Sequence, residues 1–269
     1  MRVTIIGANG FVGTGLSHYL ASRPGVALNR ITRQNYDSLK GAAGDITIDT
    51  SGNSKKFLSD QEPLKCLDLT VTQRLRTLID FPAGLHVHIS SVDVYNDLSS
   101  PTTTQEDTTI ALPTNSNYGL HKLLAEQVVQ HYAKRWLILR LAGMVGPALR
   151  KNPVFDILHD QPLRIHPNSQ YQFMHTLEVA RIAWELVSAG REHEVFNVCG
   201  DGLISPNRIA ALTGRTPDLT QLAPNATPRI VNANIEKLKG ISTVETTESA
   251  VTRFVKEAAR EGRRLDAPA

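Results

Sequence analysis

No apolar run in this sequence approaches the ~20 residues that a helix needs to cross a bilayer, so no membrane-spanning helix is expected. Cysteine is nearly absent. The two present, Cys66 and Cys199, lie far apart and share no metal-ligand spacing with histidines, which argues against a disulfide framework or a zinc site and for two reduced, buried thiols. Excess charge of one sign is lacking too: the formal net charge is +3, and the basic residues are scattered apart from a short run at Arg260, Arg263 and Arg264. Without a concentrated basic stripe, nucleic acid is not an expected partner. The first apolar stretch begins at Val3, where a signal peptide would have to be, so the expected compartment is the cytoplasm.

What is present is an ordinary globular composition, 41% hydrophobic and 20% charged over 269 residues, enough to bury one large core or two modest ones. Short runs rich in β-branched residues ("RVTIIG", "VALNRIT", "DITIDTS", "LHVHIS", "WLILRLAG") alternate with helical patterns near 11–22, 62–80 and 118–135. That alternation predicts an α/β fold with a Rossmann-like, doubly wound parallel sheet. Only about a dozen residues separate the second strand from "DITIDTS", too few for a helix, a strand and a further helix, so one βα unit is expected to be abbreviated. Pro147, Pro153, Pro162 and Pro167 then break the rhythm. The expected division is a dinucleotide-binding part over 1–146, a smaller C-terminal substrate region over 147–260 that returns some elements to the main sheet, and a flexible tail over 261–269.

The opening stretch "GANGFVG" places Gly7, Gly10 and Gly13 between a strand and a helix. Glycines there permit a tight turn and let a pyrophosphate approach backbone N–H groups at the positive end of the helix. Gly7, Asn9, Gly10, Phe11, Val12 and Gly13 are therefore the candidate dinucleotide loop. The spacing is G-x-x-G-x-x-G, and the alternative is a turn that merely closes a βα unit. About 20 residues on, where an acidic side chain would bond the ribose hydroxyls of NAD, stand Thr32, Arg33 and Gln34. A guanidinium suits a 2′-phosphate, so Arg33 favours NADP over NAD unless it is only a solvated surface group.

A second set consists of Ser91, at the end of the strand "LHVHIS", and of Tyr118 and Lys122, one turn apart on a helix. A serine at the carboxyl end of a parallel strand lies where open α/β sheets bind ligands. A phenol beside an ammonium can exchange protons with a carbonyl oxygen that a hydroxyl steadies. His86 and His88 alternate on that strand, but no third ligand accompanies them, and His88 is expected to be a satisfied structural histidine.

With "GANGFVG", "SSVDVY", "YGLHK", "LRLAGMVGP", "YQFMHTLEVARI" and "VFNVCGDGLIS" in this order from residue 1 to about 205, the chain resembles the extended short-chain dehydrogenase/reductase family of sugar-nucleotide epimerases, dehydratases and ketoreductases. The resemblance implies catalysis by Ser91, Tyr118 and Lys122, with Tyr118 and Lys122 also meeting the cofactor, Ser51 lining its pocket, and Ser91 and Asp93 meeting substrate. It further implies a nucleotide-linked sugar as small-molecule substrate and a homodimer formed through the helices at about 62–80 and 118–134, where Leu123, Leu124, Val128 and Tyr132 offer apolar surface. Val92 stands where the family's dehydratases carry the first of two carboxylates, which argues against dehydration. Asp68 and "DITIDTSGNS" depart from the family's asparagine and histidine-alanine motifs. Arg150 and Lys151, just after "GMVGP", either meet a substrate diphosphate or form a solvated loop pair. His175 matches a family position and is expected to be structural. The expected function is that of an NAD(P)-dependent ketoreductase. An epimerase that keeps NAD bound and a non-enzymatic dinucleotide sensor are the alternatives, the last because fold alone does not fix function.

Overall fold

The computed structural model describes residues 1–260, so the tail expected over 261–269 lies outside the described residues. The first half runs β1 (Arg2–Ile6), α1 (Phe11–Ala21), β2 (Ala27–Ile31), β3 (Gly44–Asp49), α2 (Lys56–Gln61), α3 (Pro63–Leu67), α4 (Gln73–Asp80), β4 (Ala83–Ser91), α5 (Asn117–Tyr132) and β5 (Trp136–Leu141). The second half runs β6 (Gly143–Val145), α6 (Pro153–Leu158), β7 (Gln170–Tyr171), β8 (Phe173–His175), α7 (Thr176–Ser188), β9 (Glu194–Val198), α8 (Pro206–Thr213), β10 (Ile230–Val231), α9 (Glu236–Lys239) and α10 (Thr247–Arg260). Among these residues no helix is long and apolar enough to cross a membrane. Cys66 and Cys199 are both buried and unpaired.

Six parallel strands form the main sheet in the order β2-β1-β3-β4-β5-β9, a Rossmann-like fold. Residues 32–43, between β2 and β3, hold a single 3-10 turn at Asp37–Leu39, so β2 is left at the sheet edge and the abbreviated unit is real. The chain reverses direction across the sheet between β1 and β3. Ligands of open α/β sheets bind at the strand ends above such a point.

The two faces of the sheet differ chemically. Val3, Ile5, Ile46, Ile48, Leu85, Val87, Ile89, Leu137, Leu139, Phe196 and Val198 point toward α1 and α7 and make one apolar core with Leu16, Leu20, Val179 and Ile182. Their strand neighbours turn the other way, under α4 and α5, and many are polar: Thr47 and Asp49, His88 and Ser90, Arg140 and Asn197, all buried. A sheet covered on both faces usually reads as nearly continuous apolar runs. Here half of the buried layer is hydrogen-bonded instead. Glu126 of α5 takes a bidentate pair of bonds from Arg140 (3.0 and 2.7 Å) and one from Ser90 Oγ at 2.5 Å. Arg140 also donates to Tyr95 Oη at 2.8 Å, and Tyr95 donates onward to Asn197 at 3.0 Å.

A second core gathers Val145, Leu149, Val154, Phe173, Ile209, Val251 and Phe254 around α6, α8 and α10. Capping explains where α6 and α8 begin. Asn152 and Ser205 accept from the backbone N–H groups three residues on, and Pro153 and Pro206 occupy the first helical positions, where no donor is needed.

The helix expected over 62–80 is continuous but not uniform. Between α3 and α4 the residues Asp68–Thr72 form a π-turn, which carries one more residue than an α-turn and so rotates the face that follows.

Candidate functional site

At the end of β1, Gly7 takes φ +79°, and its N–H and that of Ala8 both donate to Ile31 O, at 3.0 and 3.1 Å. Gly10 N donates back to Gly7 O at 2.8 Å. A Cβ on Gly13 would sit 2.1 Å from that same oxygen, so only glycine lets α1 start this close to the strand. No side chain caps α1, which leaves its first-turn N–H groups free of side-chain partners at the positive end of the helix. Asn9 is exposed on the turn, while Phe11 and Val12 pack their side chains toward the two cores. Thr50 Oγ1 ties the turn to the end of β3 through Ile6 O (2.8 Å) and Gly7 O (3.2 Å). Ser51 follows on the same wall. Arg33, two residues past β2, is exposed and forms no ion pair among the described residues.

Across the crevice, β4 ends at Ser91, and α5 begins one residue before Tyr118, with Ser116 Oγ capping it through Gly119 N at 3.0 Å. Gly119 is required there, since a Cβ would lie 2.2 Å from Asp93 O. The fold thus brings Ser91, Tyr118 and Lys122 together. Lys122 Nζ is 5.7 Å from the centre of the Tyr118 ring. Burial, with Asp93 and Cys66 adding to it, pushes the Tyr118 phenol above its ordinary value, while the Ser91 hydroxyl pulls the other way. Lys122 is pushed down to about 8, by burial first and then by the Arg74 guanidinium, against the pull of Asp93 and Glu126. In this arrangement the phenol keeps its proton at neutral pH and can donate it.

Asp93 sits two residues beyond Ser91 and takes its hydroxyl at 2.9 Å. Burial alone would raise the carboxyl. Lys56, at 2.6 Å, and Arg229, at 3.1 Å, outweigh that and hold it below the usual carboxylate range. A cleft of about 520 Å³ opens beside Asp93, lined on its other sides by Asn96, Ser99, Asn115 and Ile230. Lys151 reaches across to the Ser54 carbonyl and, at 3.3 Å, to its hydroxyl. Its amine is lowered by burial and then by Lys55 and Lys56, so Lys151 stands in a group of cations of which Lys56, together with Arg229, meets the Asp93 carboxylate. Arg150 is exposed on the same loop.

Lys56 and Arg229 were not foreseen from sequence. Nothing in their local pattern distinguishes them from solvated cations, and Arg229 lies 136 residues from the carboxylate it meets. The pair of Asp49 and Arg74 was missed as well. His88 differs from expectation: it is buried, and neither ring nitrogen has a hydrogen-bond partner. Burial and the nearby Arg74 and Lys122 charges push it well below the ordinary histidine value, so it is neutral. His175 caps α7 through Leu177 N at 3.2 Å and meets Glu257 at 3.1 Å, away from the Ser91 cluster. No group of three or more His, Cys, Asp or Glu side chains suited to a metal ion occurs among the described residues.

Residues 67–199 match the NAD dependent epimerase/dehydratase family, a span that covers Ser91, Tyr118 and Lys122 but starts past the glycine turn. No curated protein matches the chain. Among solved structures, MoeE5 in complex with UDP-glucuronic acid and NAD superposes with a TM-score of 0.78 at 21% identity, covering 98% of this chain and 100% of that one. RMD from Pseudomonas aeruginosa complexed with NADPH gives 0.76 at 19%, covering 96% and 99%. The dTDP-4-dehydrorhamnose reductase of Bacillus anthracis in complex with NADP gives 0.76 at 16%, covering 95% and 98%. The family match over residues 67–199 and this shared fold are what the extended short-chain dehydrogenases/reductases, in their NAD dependent epimerase/dehydratase group, would show.

Proposed function

We propose that the chain is an NAD(P)-dependent ketoreductase that acts on a nucleotide-linked sugar. The observation that carries this reading is the meeting of Ser91, Tyr118 and Lys122 at the carboxyl edge of the sheet, facing an uncapped helix end behind a glycine turn. The residues fit a dinucleotide: first-turn N–H groups of α1 for a pyrophosphate, a Gly13 whose missing Cβ lets that helix end start hard against the Gly7 turn, and an Arg33 without an ion pair among the described residues for a 2′-phosphate. When bound, the nicotinamide supplies the hydride.

The chain's own groups would do the rest. Tyr118 holds the proton destined for the carbonyl oxygen, since its environment keeps the phenol protonated. Ser91 would donate a hydrogen bond to that oxygen, for which its hydroxyl must turn away from Asp93. Lys122 would bond the nicotinamide ribose. The cations around Asp93 suit a diphosphate, and Arg150 and Lys151 extend that rim. We assign the dinucleotide to residues 1–146 and most substrate contacts to 147–260.

Retained nucleotide is the direct test. The reductase reading expects purified protein to exchange NADPH freely, to reduce a 4-keto UDP- or dTDP-sugar, and to lose NADPH affinity far more than NADH affinity on Arg33→Asp. Tightly held NAD with turnover of UDP-glucose would make it an epimerase. Nucleotide binding without turnover of any such sugar would make it a sensor. Equal losses for the two cofactors would remove Arg33 from the phosphate.

A homodimer is proposed through α3–α4 and α5. Leu64, 78% exposed, Leu69, Ile79, 68% exposed, and Tyr132, 57% exposed, are the large apolar residues exposed there, whereas Leu123 is buried in the chain's own core and cannot contribute. Equilibrium sedimentation at micromolar concentration should give twice the chain mass, and Leu64→Asp should halve it. A monomeric wild type would refute the arrangement.

A further inference from the structure

β3 ends on a buried charge. Asp49 is 5% exposed, and its carboxylate accepts from Thr77 Oγ1 at 2.5 Å and from both the N–H and the hydroxyl of Ser51 at 2.8 and 2.6 Å. Its remaining partner is the Arg74 guanidinium, 2% exposed. Arg74 uses a second nitrogen to donate to Ser51 O at 2.8 Å. One guanidinium therefore grips both the side chain and the backbone of the segment 49–51. Thr50, in the middle of that segment, bonds Ile6 O and Gly7 O, so the grip extends to the glycine turn on which the pyrophosphate reading rests.

Two features mark this pair as more than packing. Apolar residues of equal volume would commonly serve stability as well or better than a buried ion pair. Arg74 also lies two residues past the π-turn at Asp68–Thr72, an element common at functional sites, and the added residue rotates Arg74 and Thr77 together onto the sheet. Arg74 leaves its Nε without a hydrogen-bond partner, and His88, paired in register with Asp49, has none at either nitrogen.

We propose that Arg74 and Asp49 are positioning residues of the dinucleotide site: together they hold the Ser51 wall against the glycine turn, and the Arg74 charge stands behind Lys122. This rests on the reading of the crevice as a nicotinamide dinucleotide site. For the second part, α4, which carries Arg74, packs against α5, which carries Lys122, and the lowered Lys122 amine, on which Arg74 is the foremost charge, agrees with that placement. Arg74 acts through Ser51 and Lys122 and need not touch the reacting atoms.

The test uses the full chain, with NADPH and NADH as fluorescent probes. Asp49→Asn/Arg74→Gln removes both charges and strands neither. Arg74→Lys keeps the charge and loses the two-pronged grip. The double variant should unfold near the wild-type temperature, bind the better of the two nucleotides at least tenfold more weakly, and move the Lys122 titration, followed by NMR of isotope-labelled lysine, upward from about 8. Arg74→Lys should weaken nucleotide binding similarly while the Lys122 titration stays low. A folded double variant with unchanged affinity overturns the positioning role, and an unmoved Lys122 titration overturns the charge role. If the double variant does not fold, unchanged nucleotide affinity in Arg74→Lys overturns the proposal by itself, and a tenfold loss upholds it. A wild type that binds neither nucleotide would bring down the underlying reading, an outcome distinct from the others.

Discussion

Tyr118→Phe should lower turnover by roughly 10²–10⁴-fold while nucleotide binding survives, because it deletes the proton donor and keeps the ring. The ring is 92% buried, against α5 and the wall at Asn53, so phenylalanine fills the same space. The hydroxyl's bond to Asn53 O, at 3.5 Å, is long, and its loss costs the fold little. The change should therefore appear in kcat far more than in stability. The measurement is steady-state reduction of a keto-sugar nucleotide beside a nucleotide titration and a melting curve. Near-normal turnover would remove the Ser91–Tyr118–Lys122 mechanism and leave the sensor reading as the better one.

Arg140→Met should cost about 3–5 kcal/mol of stability, the range seen when one partner of a buried ion pair is removed. Glu126, almost wholly buried, would keep its charge with only Ser90 Oγ to solvate it, and Tyr95 Oη would lose a donor. Glu126→Leu/Arg140→Met should recover most of the loss, because neither charge is then stranded. Denaturant midpoints for the wild type and both variants decide it. A loss under about 1 kcal/mol for Arg140→Met would place this pair with ordinary surface bridges.

The alternation of strands and helices, the glycine turn, the strand end at Ser91 and the shared helix of Tyr118 and Lys122 could all be read along the chain, because each depends on local spacing. The short gap after Ile31 likewise announced the abbreviated βα unit, whose consequence is that β2 ends the sheet. The polar underside of the sheet left a trace in "DITID" and "HVHISS", where polar residues alternate with apolar ones. Such alternation ordinarily signals a face open to water. It does not reveal that a helix bearing Lys122 and Glu126 covers that face. Lys56 and Arg229 were illegible for a plainer reason: their partner Asp93 is distant in sequence, and an unpaired lysine or arginine looks the same on a loop whether or not it folds back onto a carboxylate.

A helix seated on leucines can slide or roll by a fraction of a turn and lose little, since one methyl group is much like the next. One pegged through Glu126 to Arg140 and Ser90 has no such freedom, for any roll strands a charge. Tyr118, Lys122 and Glu126 succeed one another at intervals of four along α5. The aim of the phenol and the amine is thus set by a bolt one turn below them, inside the protein, and their bearing was fixed when the chain folded.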